Sequence, residues 1–428
     1  MISEIKKINK EYNYFLVIDD NPDILKKGRL KGKLVSIKDC IVVKDMESKA
    51  GSKILENYKP VFDATVVEKI RKEGGIIIGK TSQDVFGFGS FNVNVGIGYK
   101  TPKNPFDKTR ACGGSSGAAA GITQKLDNHI AISESTGGSI ACPASYCGVY
   151  GMTPTYGRVS RYGLIDYANS MDKIGVMAKD IEDVALMLEI ISGYDEKDST
   201  SIDKKVPKFT EKKTRKFKIA VIKESLGKGV QKDVVKNLKK SLKNVEYDLV
   251  SLPLTFKYGV QTYYLISMSE SSTNLAKLCG MRYGQHSELG DNFNEYFSKV
   301  RSKYFSKEAK RRIILGTFAR MSGFRDAFYL KALKVRTKII DEYKKIFKKY
   351  DLIISPTMPN IAPKISEIDK MTPLQNYMTD IMTVGPNLAG LPHLTIPSGF
   401  SEKMPTGMMV IGDHFEEEKI INFARLLN

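Results

Sequence analysis

Between Ala64 and Lys72 the apolar residues Val66, Val67 and Ile70 recur at helical spacing, and the chain then passes through Gly74-Gly75 straight into Ile76-Ile77-Ile78. Glycine just past the last periodic residue stops a helix, and a short run of β-branched residues reads as a buried strand. A helix delivered directly into an interior strand calls for a mixed α/β architecture rather than a helical bundle or a β-sandwich. The same alternation continues along the chain. Residues 33–39 read as a strand with Leu34, Ser36 and Lys38 on one face and Val35 and Ile37 on the other. His129 to Ser133 reads as another interior strand, and Ile181 to Ser192 as a helix with Val184, Leu186, Met187, Ile190 and Ile191 on its apolar side. Further on, strands are predicted at 218–222 and 351–355, with helices through the 260s to 340s between them. A strand-helix pair from Met408 to Leu427 closes the chain. The helix from Asp326 to Lys349 carries Leu330, Leu333, Ile340, Tyr343 and Phe347 on one stripe, opposite many Lys and Arg.

With 428 residues, 42% of them apolar, the chain can bury two or three lobes or one large layered core. No stretch approaches the ~18–20 consecutive apolar residues of a membrane span. The opening Met1-Ile-Ser-Glu-Ile-Lys-Lys7 lacks a signal-peptide hydrophobic run, so a cytoplasmic location is expected. Five cysteines, Cys40, Cys112, Cys142, Cys147 and Cys279, are odd in number and lack paired spacing, which indicates neither a disulfide framework nor a structural metal. A net charge of +19 suits a polyanionic partner or a solubilising surface, and no compact nucleic-acid-reading motif accompanies it.

Gly74-x4-Gly79-Lys80-Thr81 matches the phosphate-loop pattern, but a helix precedes it and three isoleucines fill the place of the open loop; a strand followed by a turn is expected instead. Two glycine-serine segments remain. Cys112-Gly113-Gly114-Ser115-Ser116-Gly117 leads into small helix-forming residues. Ser135-Thr136-Gly137-Gly138-Ser139-Ile140 follows the interior strand, a placement where a serine hydroxyl projects and successive N–H groups can hold an oxyanion. Each alone is an ordinary turn. The four histidines, His129, His286, His393 and His414, have no evident serine or cysteine partner, so a serine nucleophile here needs another base. A lysine serves if burial and positive neighbours hold it neutral, and Ser-Lys arrangements are an alternative to Ser-His-Asp. Lys38 is the candidate, against the reading that it is one of 67 ordinary basic residues.

Taken jointly, Ser36-Ile37-Lys38-Asp39 and the two glycine-serine segments resemble the amidase signature family. The resemblance extends through Ala64-Thr-Val-Val-Glu-Lys69, Ile78-Gly-Lys-Thr81, Asn104-Pro-Phe-Asp107 and Asn387-Leu-Ala-Gly-Leu-Pro392. Pro154 to Asp166, Met171-Asp-Lys-Ile-Gly175 and the stretch from Ser192 to Ser201 are similar, more narrowly, to the branch formed by A subunits of tRNA-dependent amidotransferases. The resemblance implies an α/β/α sandwich with a large mixed central sheet flanked by helices. It makes the chain a single domain with a core signature region at about 30–195, a basic linker at 198–217, a peripheral helical region at 218–350 and a strand-helix return at 351–428.

It also implies a glutaminase that supplies ammonia for transamidation of misacylated Glu-tRNA(Gln) or Asp-tRNA(Asn). Ser139 is then the nucleophile, Ser115 the bridging serine after a cis peptide bond, and Lys38 the base. The N–H groups of Thr136, Gly137, Gly138 and Ser139 form the oxyanion hole. Arg312 matches the residue that holds the glutamine α-carboxylate, with Arg311 as the competing choice, and Asp380 the partner of its α-ammonium. Tyr263 or Tyr264 lines the same pocket. No metal or cofactor is implied in this chain. ATP and Mg belong to a partner B subunit, present with or without a small C-type subunit, and tRNA lies near the basic surface. The other readings are a stand-alone amidase acting on another small amide and a silent RNA-associated scaffold.

Two departures from the family pattern stand out. Ser135 and Ala141 occupy positions where the family carries an Asp and an Arg, so both members of an ion pair are absent together, and Glu134 is a local substitute to consider. The segment before Lys38 is also shorter than usual in the family, which bears on any partner contact there. A cysteine nucleophile, Cys142 or Cys147, is the minor alternative at the site.

Overall fold

Ile76, Ile77 and Ile78 divide between two cores, Ile77 packing in one hydrophobic cluster and Ile76 and Ile78 in another. Successive side chains of a strand point to opposite faces, so a strand covered on both sides is apolar at every position. Ile130 and Ile132 part from Ala131 in the same way, as Val176 and Ala178 part from Met177. A sheet with two cores is therefore packed by helices on both faces.

The computed structural model describes residues 1–25, 27–290 and 292–427. Eleven strands among them form one sheet: β1 Phe15–Ile18, β2 Leu34–Lys38, β3 Ile76–Thr81, β4 His129–Ser135, β5 Tyr150–Thr153, β6 Lys173–Ala178, β7 Ile219–Ile222, β8 Tyr247–Val250, β9 Leu352–Pro356, β10 His393–Ser401 and β11 Met404–Gly412. Their order across the sheet is β1-β3-β2-β4-β6-β5-β10-β11-β9-β7-β8. β2 runs parallel to both β3 and β4, and β7 parallel to β8 and β9, while the pairs from β4 through β6, β5, β10 and β11 to β9 are antiparallel. The crossover from β2 to β3 carries the helix Thr65–Lys72, whose Val66, Val67 and Ile70 join the larger core. The crossover to β4 carries Gly117–Lys125, whose alanines and Ile122 join the smaller one. This is the α/β/α architecture with a mixed sheet that the resemblance implied.

Several elements differ from expectation. Gly79-Lys80-Thr81 continues β3 rather than turning. Lys80 is fully buried and donates to the carbonyls of Asp39 and Ile41 (3.3 and 2.6 Å) and to Ser48 Oγ (2.6 Å), tying the loop after β2 to the sheet. Burial pushes its ammonium down to about 8. The closing strand begins at Met404, earlier than Met408, and pairs with β10, whose Pro397 and Gly399 flank a register shift and mask the strand pattern. The predicted helix from Asp326 starts as a wide turn at Asp326–Leu330 before regular helix at Lys331–Phe347. The basic stretch at 198–217 has no helix or strand, yet Phe209 anchors it in the core.

Two helices carry the far wall of the site, Pro253–Asn274 and Lys307–Arg320. They touch backbone to backbone at Gly316, where an added Cβ would lie 1.8 Å from the Met268 carbonyl oxygen. Only glycine permits that approach. One turn earlier on the same helix sits Arg312.

Candidate active site

Because β2 and β4 are parallel, their C-terminal ends share one edge of the sheet, the edge where ligands bind in open α/β folds. Lys38 is the last residue of β2, and Glu134 and Ser135 end β4. The second glycine-serine loop leaves β4 at that edge, and the first, which leads into the helix Gly117–Lys125, brings Ser115 to Lys38 there.

Lys38 is fully buried, and its Nζ donates to Ser115 Oγ (2.7 Å), Glu134 Oε2 (2.8 Å) and the Glu134 carbonyl (3.0 Å). The Gly114–Ser115 peptide bond is cis. An added Cβ at Gly114 would lie 2.3 Å from Asp84 Oδ2 and 2.5 Å from the Phe91 nitrogen, so the loop tolerates no side chain there. Asp84 in turn accepts the N–H groups of Asn92 (2.9 Å) and Asn94 (2.8 Å), and its own N–H donates to the Ser115 carbonyl. Burial pushes the Asp84 carboxyl up to about 6.

Ser139 lies in the loop between β4 and the helix Ala141–Cys147, 6% exposed. Among the described residues its hydroxyl forms no hydrogen bond, to Ser115 included, and the N–H groups of Gly137, Gly138 and Ser139 donate to no protein acceptor. The Gly137 carbonyl is held by Ser135 Oγ (2.9 Å) and by Asn387 Nδ2, which also donates to the Thr383 carbonyl. With that carbonyl fixed, the neighbouring N–H groups remain unspent, and unspent donors of this kind can stabilise a developing oxyanion. Ser135 thus bonds the loop itself, and Ala141 is fully buried, so the absent Asp and Arg leave no unpaired charge here.

On the opposite wall, Arg312 is buried beneath the rings of Phe88, Tyr167, Tyr264 and Tyr377, its guanidinium carbon 4.9–5.8 Å from their centroids. It donates to Tyr167 Oη (2.6 Å) and to Glu308 Oε1 (2.8 Å). Arg311 is only half-buried and bonds the other Glu308 oxygen. Tyr264 Oη donates to Asp380 Oδ2 (2.6 Å), as does Ser90 Oγ (3.0 Å), and burial pushes the Asp380 carboxyl up. Tyr263 packs over Gly137, its hydroxyl 2.8 Å from where a Cβ would be. Asp84, Ser90, Glu308, Arg312 and Tyr377 line a cavity of about 210 Å³. Gly87 joins the two walls, its missing Cβ lying 3.4–3.6 Å from Tyr167, Glu134 Oε2 and Ser115 Oγ.

The structure thus gathers Lys38 with Ser115 at one end of the cleft, the Ser139 loop beside Tyr263, and Arg312 with Tyr264 and Asp380 opposite. One expectation needs correcting: the group against Lys38 is a carboxylate, not a positive neighbour, because Glu134 sits near the end of β4 with its side chain on Lys38. Sequence reasoning also missed Asp172, Tyr167, Glu308 and the side chain of Asn387. Asp172 and Asn387 lie inside the family-like stretches at 171–175 and 387–392. Cys142 and Cys147 are fully buried with their thiols pushed up by burial, and each donates to a backbone carbonyl, an environment that suits inert thiols. Among the described residues no cluster of His, Cys, Asp or Glu could hold a metal, and no helix is long and apolar enough to cross a membrane.

Residues 18–421 match the Amidase family model. The chain is 46% identical over 403 residues to the A subunit of glutamyl-tRNA(Gln) amidotransferase from Archaeoglobus fulgidus, covering 93% of this chain and 86% of that protein. It is 45% identical to the protein of the same name from Bacillus velezensis, with 93% and 83% coverage. The crystal structure of the corresponding A subunit from Thermotoga maritima superposes with a TM-score of 0.84 at 37% identity, covering 99% of this chain and 89% of that one. The 6-aminohexanoate cyclic dimer hydrolase shares the fold at 18% identity and a TM-score of 0.80. The chain belongs to the amidase family and, within it, to the group of enzymes named as the A subunits of glutamyl-tRNA(Gln) amidotransferases.

Proposed function

We propose that this chain hydrolyses glutamine to glutamate and ammonia as the A subunit of a tRNA-dependent amidotransferase. Lys38 takes a proton from Ser115, Ser115 takes one from Ser139, and the Ser139 oxygen attacks the side-chain amide carbon of glutamine. The N–H groups of Thr136, Gly137, Gly138 and Ser139 receive the oxyanion. Returned along the same hydroxyls, the proton lets the amide nitrogen leave as ammonia, and water then cleaves the glutamyl ester. Arg312 pairs with the α-carboxylate through the N–H groups it does not spend on Glu308 and Tyr167, Asp380 with the α-ammonium, and Tyr263 and Tyr264 close the sides. A partner B subunit uses ATP and Mg to activate the tRNA-borne carboxylate for the ammonia; a C-type subunit completes the assembly, and the basic surface lies near tRNA.

The observation that carries this reading is the fully buried 2.7 Å contact between Lys38 Nζ and Ser115 Oγ, beside a loop with unspent N–H groups. The Ser139–Ser115 hydrogen bond forms on substrate binding, as catalytic hydrogen bonds tighten in the complex. Glutamine hydrolysis by the chain with its co-purifying partners is the test. Ser139→Ala and Lys38→Ala are expected to abolish it, and wild-type rates in either would remove the assignment. A stand-alone amidase for another small amide is the second reading, favoured by Glu308, which already occupies one side of Arg312. In that case Arg312→Met and Asp380→Asn would spare a simple amide substrate.

A further inference from the structure

An ammonium has three protons to donate, and the three partners of Lys38 Nζ account for all of them. Of those three, only Glu134 Oε2 is a base. Its second oxygen, Oε1, is 2.7 Å from Thr136 Oγ1, and that hydroxyl is also 2.8 Å from Asp172 Oδ1. A hydroxyl has one proton and so can donate to only one of two carboxylates. The second contact closes only when one carboxyl is itself protonated and donates to the threonine oxygen. Asp172 is fully buried, and burial followed by the charge of Glu134 pushes its carboxyl well up.

We propose that Glu134 and Asp172 are positioning residues that share one proton through the Thr136 hydroxyl, and that Glu134 receives the proton Lys38 must shed before it can deprotonate Ser115. The inference rests on the reading of Lys38 as the base. In the resting state Asp172 is protonated and donates to Thr136, Thr136 donates to Glu134, and ionised Glu134 pairs with the Lys38 ammonium. One N–H bond of Lys38 then breaks as the O–H bond on Glu134 Oε2 forms. Two opposite charges vanish together and the buried cluster stays neutral. The neutral amine takes the Ser115 proton, and the Glu134 proton returns when ammonia has left. The other ionisable groups facing this cluster are Cys40 on the loop after β2, Asp84, and Tyr156 and Arg161 on the segment before β6. A lone lysine would have to lose its proton to solvent from a site with no exposure.

The test is kcat/KM for glutamine against pH, measured on the full chain with its co-purifying partners. Glu134→Gln is expected to lower the rate roughly 100-fold near neutrality. Its acid limb moves to higher pH, so that activity recovers on alkalinisation, and Glu134→Asp restores part of the rate. Asp172→Asn moves the same limb. A loss equal at every pH, or no loss, would overturn the relay. Ser139→Ala separates the two layers: an active Ser139→Ala sinks the underlying reading, whereas an inactive one beside a Glu134→Gln profile parallel to wild type sinks only the relay. Should Glu134→Gln fail to fold, the infrared difference between wild type and Asp172→Asn in D2O decides. The relay predicts that the variant loses a protonated-carboxyl band, and no such band in wild type contradicts it.

Discussion

Replacing Lys38 by Met keeps the length and most of the volume of the side chain while removing its charge. The pair it makes with Glu134 is 0% and 3% exposed, so solvent screens neither group. The substitution deletes three hydrogen bonds and leaves Glu134 Oε2 buried without its cation, while Oε1 keeps its contact with Thr136. Breaking a buried pair by removing one partner costs about 3–5 kcal/mol, much of it the uncompensated charge. Glu134→Gln alone leaves the Lys38 ammonium in the mirror-image position, at a similar cost. The double variant buries no charge at this position, so its loss should fall at least ~2 kcal/mol short of the two single losses added together. Urea unfolding followed by far-ultraviolet circular dichroism measures this, the chain having no tryptophan to report by fluorescence. Additivity within about 0.5 kcal/mol would refute the claim that the two groups form an unscreened pair.

Arg312→Met should lower kcat/KM for glutamine roughly 10- to 100-fold, mainly through KM, because a hydrogen bond to a charged group contributes about 1.5–3 kcal/mol; steady-state kinetics at saturating and limiting glutamine decide it. Gly316→Val, which drives a side chain into the Met268 carbonyl, should cost about 1–3 kcal/mol in urea unfolding and raise the glutamine KM as Arg312 shifts. His129 is buried with its pKa pushed down to about 3 from the ordinary 6.5. Below pH 6.5 the unfolded chain therefore binds a proton that the folded chain refuses, and stability falls by about 1.4 kcal/mol for each further pH unit until about pH 3. His129→Gln should flatten that slope in unfolding curves taken between pH 4 and 6.5.

What the sequence reveals best is whatever has a period or a fixed local spacing. The run from Val66 to Ile78 yields a helix and a strand because both patterns are strong and a glycine pair separates them. Lys38, Ser115 and Ser139 are legible through three short segments taken jointly, although 0% exposure and a 2.7 Å contact at Lys38 are beyond any reading of composition. β10 stayed hidden because Pro397 and Gly399 interrupt it where the register shifts. Tyr167 was missed because its partner Arg312 lies on another element, which nothing local in sequence marks; Glu308 did carry a local signal, its i,i+4 spacing to Arg312 on one helix, but such pairs are common on solvated helix faces and do not by themselves point to a site. Glu134 was noticed as a substitute for the absent aspartate at 135; strand alternation turns its side chain the other way, toward Lys38.

Acid-quenching the chain and its partners during glutamine turnover, then mapping covalent adducts by mass spectrometry, tests the central claim directly. A glutamyl ester is expected on the peptide containing Ser139, absent in Ser139→Ala and strongly depleted in Lys38→Ala. An adduct on any other residue, or an undiminished rate of ester formation without Lys38, would contradict the claim.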